Sequence, residues 1–96
     1  MDPGRSDIFI ADVVSTIAGR DAGQLFYVIG EDPVYLMLAN GKDRTLDKPK
    51  RKKRRHVQKV LRSETRVAQK LIAGDKVLNG ELRRDLAFFA RENASE

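Results

Sequence analysis

Cysteine is absent from the 96-residue chain, which excludes a disulfide framework and any thiolate metal site. Histidine occurs once, at position 56, with no second imidazole or thiol to share a metal, and no carboxylate cluster is spaced to replace them. No apolar run approaches the ~20 residues needed to span a bilayer. The opening segment, Met1 to Asp7, is polar and mixed in charge, without the basic-then-apolar layout of a secretory leader. These absences point to a soluble cytoplasmic protein with no membrane partner. Catalytic patterns are missing too. The glycines match neither the Walker nor the dinucleotide spacing, and neither Ser15 nor Ser63 has a base beside it. Asp43 and Asp47 stand four apart in a turn-rich stretch that suits salt bridges rather than paired-carboxylate chemistry. The expectation is a non-enzyme that needs no cofactor and no metal.

What the chain has in quantity is charge, and the balance is basic. Net charge is +5, which favours a polyanionic partner, nucleic acid ahead of an anionic membrane surface. A hydrophobic share of 41% is enough for one small core, and 96 residues make one domain, or one domain with an appendage.

The organising stretch is Val13 to Ile29. Two apolar, β-branched segments flank a polar hinge from Ala18 to Gly23. Gly19 and Gly23 accept positive φ without steric cost, so the hinge predicts a loop between two antiparallel strands. Arg20 and Asp21 sit between the glycines; from chemistry alone they read as turn residues. A phosphate-bearing partner could use both the arginine fork and the bare backbone there.

Around this hinge the pattern predicts strands over 8–17, 24–29 and 34–39, with a turn from Gly30 to Pro33. Asn40-Gly41 predicts a type I′ hairpin leading into a short fourth strand, Lys42 to Leu46. Residues 47–55 break the pattern. Lys48, Lys50, Arg51, Lys52, Lys53, Arg54 and Arg55 crowd around Pro49, and such mutual repulsion predicts an extended, solvated basic loop. His56 to Leu61 follows as a closing strand. The charge density of the run favours RNA contact, with affinity that falls steeply with salt. His56, beside Arg54 and Arg55, suits phosphate contact better than catalysis.

Taken together, Ser15-x-x-x-Gly19-Arg20-Asp21-x-Gly23-x-x-Phe26-x-Val28, then Ala39-Asn40-Gly41-Lys42, then Lys48-Pro49-Lys50-Arg51-Lys52 resemble a KOW motif. This strand-loop-strand unit occurs in RNA-binding ribosomal proteins and transcription elongation factors. The form is similar to that of one group of archaeal and eukaryotic large-subunit ribosomal proteins and their small bacterial relatives. The resemblance runs from about Asp12 to about Gln58. It implies a mainly β fold, a small SH3-like barrel of about five strands, with α structure at the C-terminus. It also implies a translation-associated partner, ribosomal RNA or the ribosome. Arg20 and the loop backbone would then set the register while Lys42 and the Lys/Arg run supply affinity. Two other classes stay open: a protein-interaction module of the transcription or translation machinery, and a non-specific DNA-binding protein.

From about Leu61 no motif matches, but the period turns helical. Ser63 is a candidate N-cap for a short helix with the stripe Val67, Ala68, Leu71 and Ile72, stopped by Gly74. Asn79 is a candidate cap for a second helix with the stripe Leu82, Leu86, Phe89 and Ala90, fraying near Asn93. Arg83, Arg84, Asp85 and Arg91 lie away from that stripe, and Phe88 projects from the polar side. Short helices need packing, so these either cover the barrel or dock a partner. The domain reading is a flexible tail over 1–7, the barrel over 8–61 with its basic loop 47–55, and a helical segment over 62–96. Aromatics make up only 6% of the chain. Phe26 reads as core, whereas Tyr27 and Tyr35 fit either a core or an open sheet that stacks unpaired bases.

Overall fold

The computed structural model describes residues 8–17, 19 and 22–94, with backbone alone for Asn93 and Ala94. The expected tail over 1–7 lies outside the described residues, as do Ala18, Arg20 and Asp21. Five strands form one antiparallel sheet: β1 Asp12–Thr16, β2 Leu25–Glu31, β3 Tyr35–Ala39, β4 Lys50–Lys53 and β5 Val57–Arg62. Two helices follow, α1 Arg66–Ala73 and α2 Asn79–Ala94. Strand order is β4-β3-β2-β1-β5, so β4 and β5 are the two edges. Only a 3-10 turn, Arg54–His56, joins them. In a flat sheet the edges would lie about 19 Å apart. Four Cα steps from Lys53 to Val57 reach at most about 14 Å. The sheet must therefore curl, yet among the described residues β4 and β5 share no ladder, so it stays open.

Strand alternation builds a separate apolar cluster on each face. On the inner face Ile8, Val14, Phe26, Val28, Leu36, Leu38 and Val57 pack together, with β3 and β5 meeting across the curl. On the other face Val13, Tyr27 and Ala39 pack against Val67, Leu82 and Leu86 of the helices. The helices thus cover part of the sheet and share its core. Burying each such Leu or Val contributes on the order of 1.5–3 kcal/mol, which no isolated short helix could supply from propensity.

A polar network pins this interface. The Tyr27 hydroxyl donates to Asp85 Oδ2 at 2.6 Å and lies 2.9 Å from Ser63 Oγ. Thr65 Oγ1 donates to the same Asp85 oxygen at 2.6 Å. Three separate chain segments meet at one carboxylate. Burial first, and then the bond to Asp85, push the Tyr27 phenol up to about 12. Tyr27 is fully buried, which settles its alternatives in favour of the core, as for Phe26.

Several local expectations give way to tertiary contacts. β1 begins at Asp12, because Phe9 N–H donates to the Asp12 carboxylate and Ala11 adopts φ 78°, turning the chain before it pairs. Asp12 itself is buried, with Lys59 Nζ at 3.4 Å and Arg62 Nε at 3.7 Å. β2 continues through Gly30 to Glu31, past a register shift between Val28 and Gly30, so the turn starts only at Asp32. The Asp32 carboxylate accepts from Val34 and Tyr35 N–H groups, and these bonds hold it below the usual carboxylate range.

Asn40-Gly41 does not make a hairpin, and Lys42 to Leu46 is not a strand. The Asn40 side chain accepts from the N–H groups of Lys42 and Arg44 instead, and Asn79 accepts from Leu46 N–H. Gly41 carries φ 77°, and α2 lies against it: a Cβ there would overlap the Asn79 carbonyl oxygen. Thr65, not Ser63, caps α1, accepting from Ala68 N–H. Asn79 opens α2 but its side chain serves Leu46. Glu81 accepts from Leu78 N–H at the helix start, and this bond ahead of the one from Lys70 lowers its pKa. Asp85 turns inward, onto Tyr27 and Thr65. On the stripes, Ile72 and Ala90 are exposed.

Candidate nucleic-acid interface

The β1–β2 connection is a glycine loop held at its base by three backbone bonds. Ile17 N–H donates to the His56 carbonyl, Gly23 N–H to the Thr16 carbonyl, and Ala22 N–H to the Gly19 carbonyl. Gly19 has φ 90° and Gly23 φ 89°, both left-handed, where a Cβ would be strained. Both are exposed. Among the described residues nothing lies within 4 Å of a Cβ placed on Gly23, and on Gly19 the neighbour is Lys52 Nζ at 3.8 Å. At Gly19 the loop therefore presents glycine backbone with an ammonium beside it. The bond from Ile17 to His56 also seats the 3-10 turn, with exposed Arg55, next to the loop.

The basic run is not a solvated loop. Lys50 to Lys53 form β4, an edge strand laddered to β3. Local repulsion loses here because β3 offers a row of backbone partners, and lysines on an edge also discourage further strand addition. The ladder sorts the cations by face. Lys50 pairs with Leu38 and Lys52 with Leu36, whose side chains are in the inner cluster. Arg51 pairs with Met37 and Lys53 with Tyr35, on the opposite face. Neighbours in sequence therefore serve different surfaces.

Arg54 is structural. Its Nε donates to the Asp32 carbonyl at 2.8 Å, its Nη1 to the Ile8 carbonyl at 3.0 Å, and its Nη2 to Glu31 Oε1 at 2.7 Å. The fork ties Ile8 to the β2–β3 turn and leaves only 11% of the side chain exposed. The His56 side chain is half-buried.

Lys42 stands apart from the run. With Gly23, Gln24, Asp43, Arg83 and Leu86 it lines an open groove of about 500 Å³ between the glycine loop and α2. Arg83 is an addition that sequence reasoning missed. Its Nη1 donates to the Gly41 carbonyl at 2.7 Å, so it braces the loop that carries Lys42. Its only sequence signal was a place on the polar face of a helix.

The fold thus brings Gly19, Gly23, Lys42, Lys52 and Arg55 around one loop, and sends Arg51 and Lys53 to another face. Among the described residues the side chains of Lys42, Lys48, Lys52 and Arg55 make no hydrogen bond or ion pair; Arg54 makes the bonds given above, and Lys50 is not without a partner. Free cations beside uncovered backbone can hold phosphate oxygens by charge and direction together. Among the described residues no cluster of three or more acidic or imidazole groups could hold a metal. No helix there is long and apolar enough to cross a membrane. No protein-family model and no curated protein sequence matches the chain.

Proposed function

We propose that this chain is a non-catalytic, KOW-type RNA-binding protein with an SH3-like barrel, acting in the cytoplasm on structured RNA, ribosomal RNA foremost. The observation that carries the reading is the Lys52 ammonium 3.8 Å from the Cβ position of Gly19, where a phosphate would meet bare backbone and a cation together. The strand order, with β1 between β2 and β5 and the sheet curled on one core, supports the barrel type. Lys42, across the groove, and Arg55, on the adjoining 3-10 turn, extend the positive surface around the loop, and Lys48 adds an exposed cation in the turn before β4. Such contacts read the backbone and position the protein; they do not read sequence.

The test is filter binding to large-subunit ribosomal RNA over a range of salt. A quadruple variant, Lys42→Gln, Lys48→Gln, Lys52→Gln and Arg55→Gln, leaves Arg54 in place so that the fold stands. Each lost phosphate contact should lower the slope of log affinity against log salt by about one. Wild-type affinity and slope in the quadruple variant would overturn the proposal.

A further inference from the structure

The outer face of β3 and β4 carries an arrangement that phosphate binding does not use. Along β3 the residues Ala39, Met37 and Tyr35 share the face toward the helices, and their cover fades in that order: Ala39 is fully buried, Met37 and Tyr35 only partly. Beyond the helices Arg51 lies on Tyr35, with its guanidinium carbon 3.6 Å from the ring centroid. At that distance the guanidinium is in van der Waals contact with the ring, as a stacked cation is. Arg51 is nevertheless exposed, so the ring covers only part of its surface. Among the described residues its guanidinium donates no hydrogen bond, although its charge acts on the Asp32 carboxylate nearby.

The surroundings leave room. Gly30, paired with Met37 on the neighbouring strand, puts no side chain on this face. Lys53, directly opposite Tyr35, adds an ammonium without a hydrogen bond or ion pair among the described residues. Asp32 is the acidic group nearby, and its carboxylate is already occupied by the N–H groups of Val34 and Tyr35.

A flat cation backed by an aromatic ring presents a π-stacking surface at low entropic cost, since the ring already fixes the guanidinium plane. The ligand that fits such a surface is flat and electron-rich, with acceptors on its edge and a phosphate close by. We infer that Arg51, laid on Tyr35, is a stacking platform for one unpaired nucleobase, with Lys53 placed for the adjoining phosphate. The inference rests on the RNA-binding reading above and deepens it. One strand edge would grip the backbone through Lys52 on one face and take a base on the other through Arg51.

Two fluorescein-labelled probes of equal length separate base from phosphate: oligoadenylate, and the same ribose-phosphate chain without bases. Both are titrated by anisotropy at low salt, with large-subunit ribosomal RNA as a third ligand. The wild type should bind oligoadenylate about tenfold more tightly than the abasic chain, the scale of one stacked base. Arg51→Lys keeps the charge but loses the plane, and Tyr35→Leu removes the backing; both should abolish that preference while affinity for the abasic chain stays unchanged. Equal wild-type affinity for the two oligomers, or a preference retained in Arg51→Lys, would overturn the platform and leave the RNA-binding reading standing. Ribosomal RNA bound with neither oligomer bound would do the same. Failure to bind all three ligands would overturn both.

Discussion

Gly41→Ala should be far more damaging than its size suggests, and a second glycine supplies the control. Gly41 and Gly74 share φ 77°, so alanine at either meets the same left-handed backbone cost, roughly 1–2 kcal/mol. Each substitution also regains about 0.4–1 kcal/mol from a stiffer unfolded chain. At Gly74, the C-cap of α1, nothing lies within 4 Å of the new methyl group. The net cost there is about 1 kcal/mol, and for a domain of this size that lowers the melting temperature by about 4–8 °C. At Gly41 the methyl group overlaps the Asn79 carbonyl and comes within 3.2 Å of Arg83 Cγ. Neither neighbour moves freely: Asn79 begins α2 and bonds Leu46 N–H, while Arg83 bonds the Gly41 carbonyl. Overpacking adds about 1–3 kcal/mol, for a total of about 2–4 kcal/mol. The expected fall in melting temperature is then about 8–32 °C. Thermal unfolding followed by far-ultraviolet circular dichroism measures both variants. Coincident curves for the two would refute the claim that α2 is seated on the 40–46 loop.

Two further perturbations test the polar framework. Tyr27→Phe should cost about 1–3 kcal/mol in urea unfolding, because Asp85 and Ser63 lose the phenol that joins them. The phenol titrates at 10.0 when unfolded and at about 12 in the fold, so between those values the unfolded chain holds fewer protons. Wild-type stability should therefore fall over that pH window by more than that of Tyr27→Phe, and parallel profiles would show that the hydroxyl is not buried as described. Arg54→Gln should cost about 1.5–3 kcal/mol of stability, since three acceptors lose charged donors. Its salt slope for RNA should match the wild type; a variant that melts normally but binds RNA weakly would place Arg54 in the interface instead.

The amino-acid sequence by itself determined the elements whose causes are local. β-branched and aromatic runs marked β2 and β3. The 3.6-residue stripes around Val67 and Leu82 marked the helices, and the spaced glycines marked the loop at 19–23. It also showed that cations dominate residues 48–55. It did not show what they do, because that depends on partners far along the chain. The run became a strand only because β3 lay open beside it, and the ladder's period of two then parted Lys52 from Arg51. Arg54, alike in sequence, became a tie because Ile8, Glu31 and Asp32 converge on it. Asn40-Gly41 carried a strong hairpin signal, yet α2, almost 40 residues later, packs so close to that glycine that no side chain fits there. Asp85 read as a solvent residue until Tyr27, 58 positions away, met it in the core. Propensity and periodicity act over one or two turns of chain, whereas register, burial and the choice of partner for each charge arise only when distant segments share the same few ångströms.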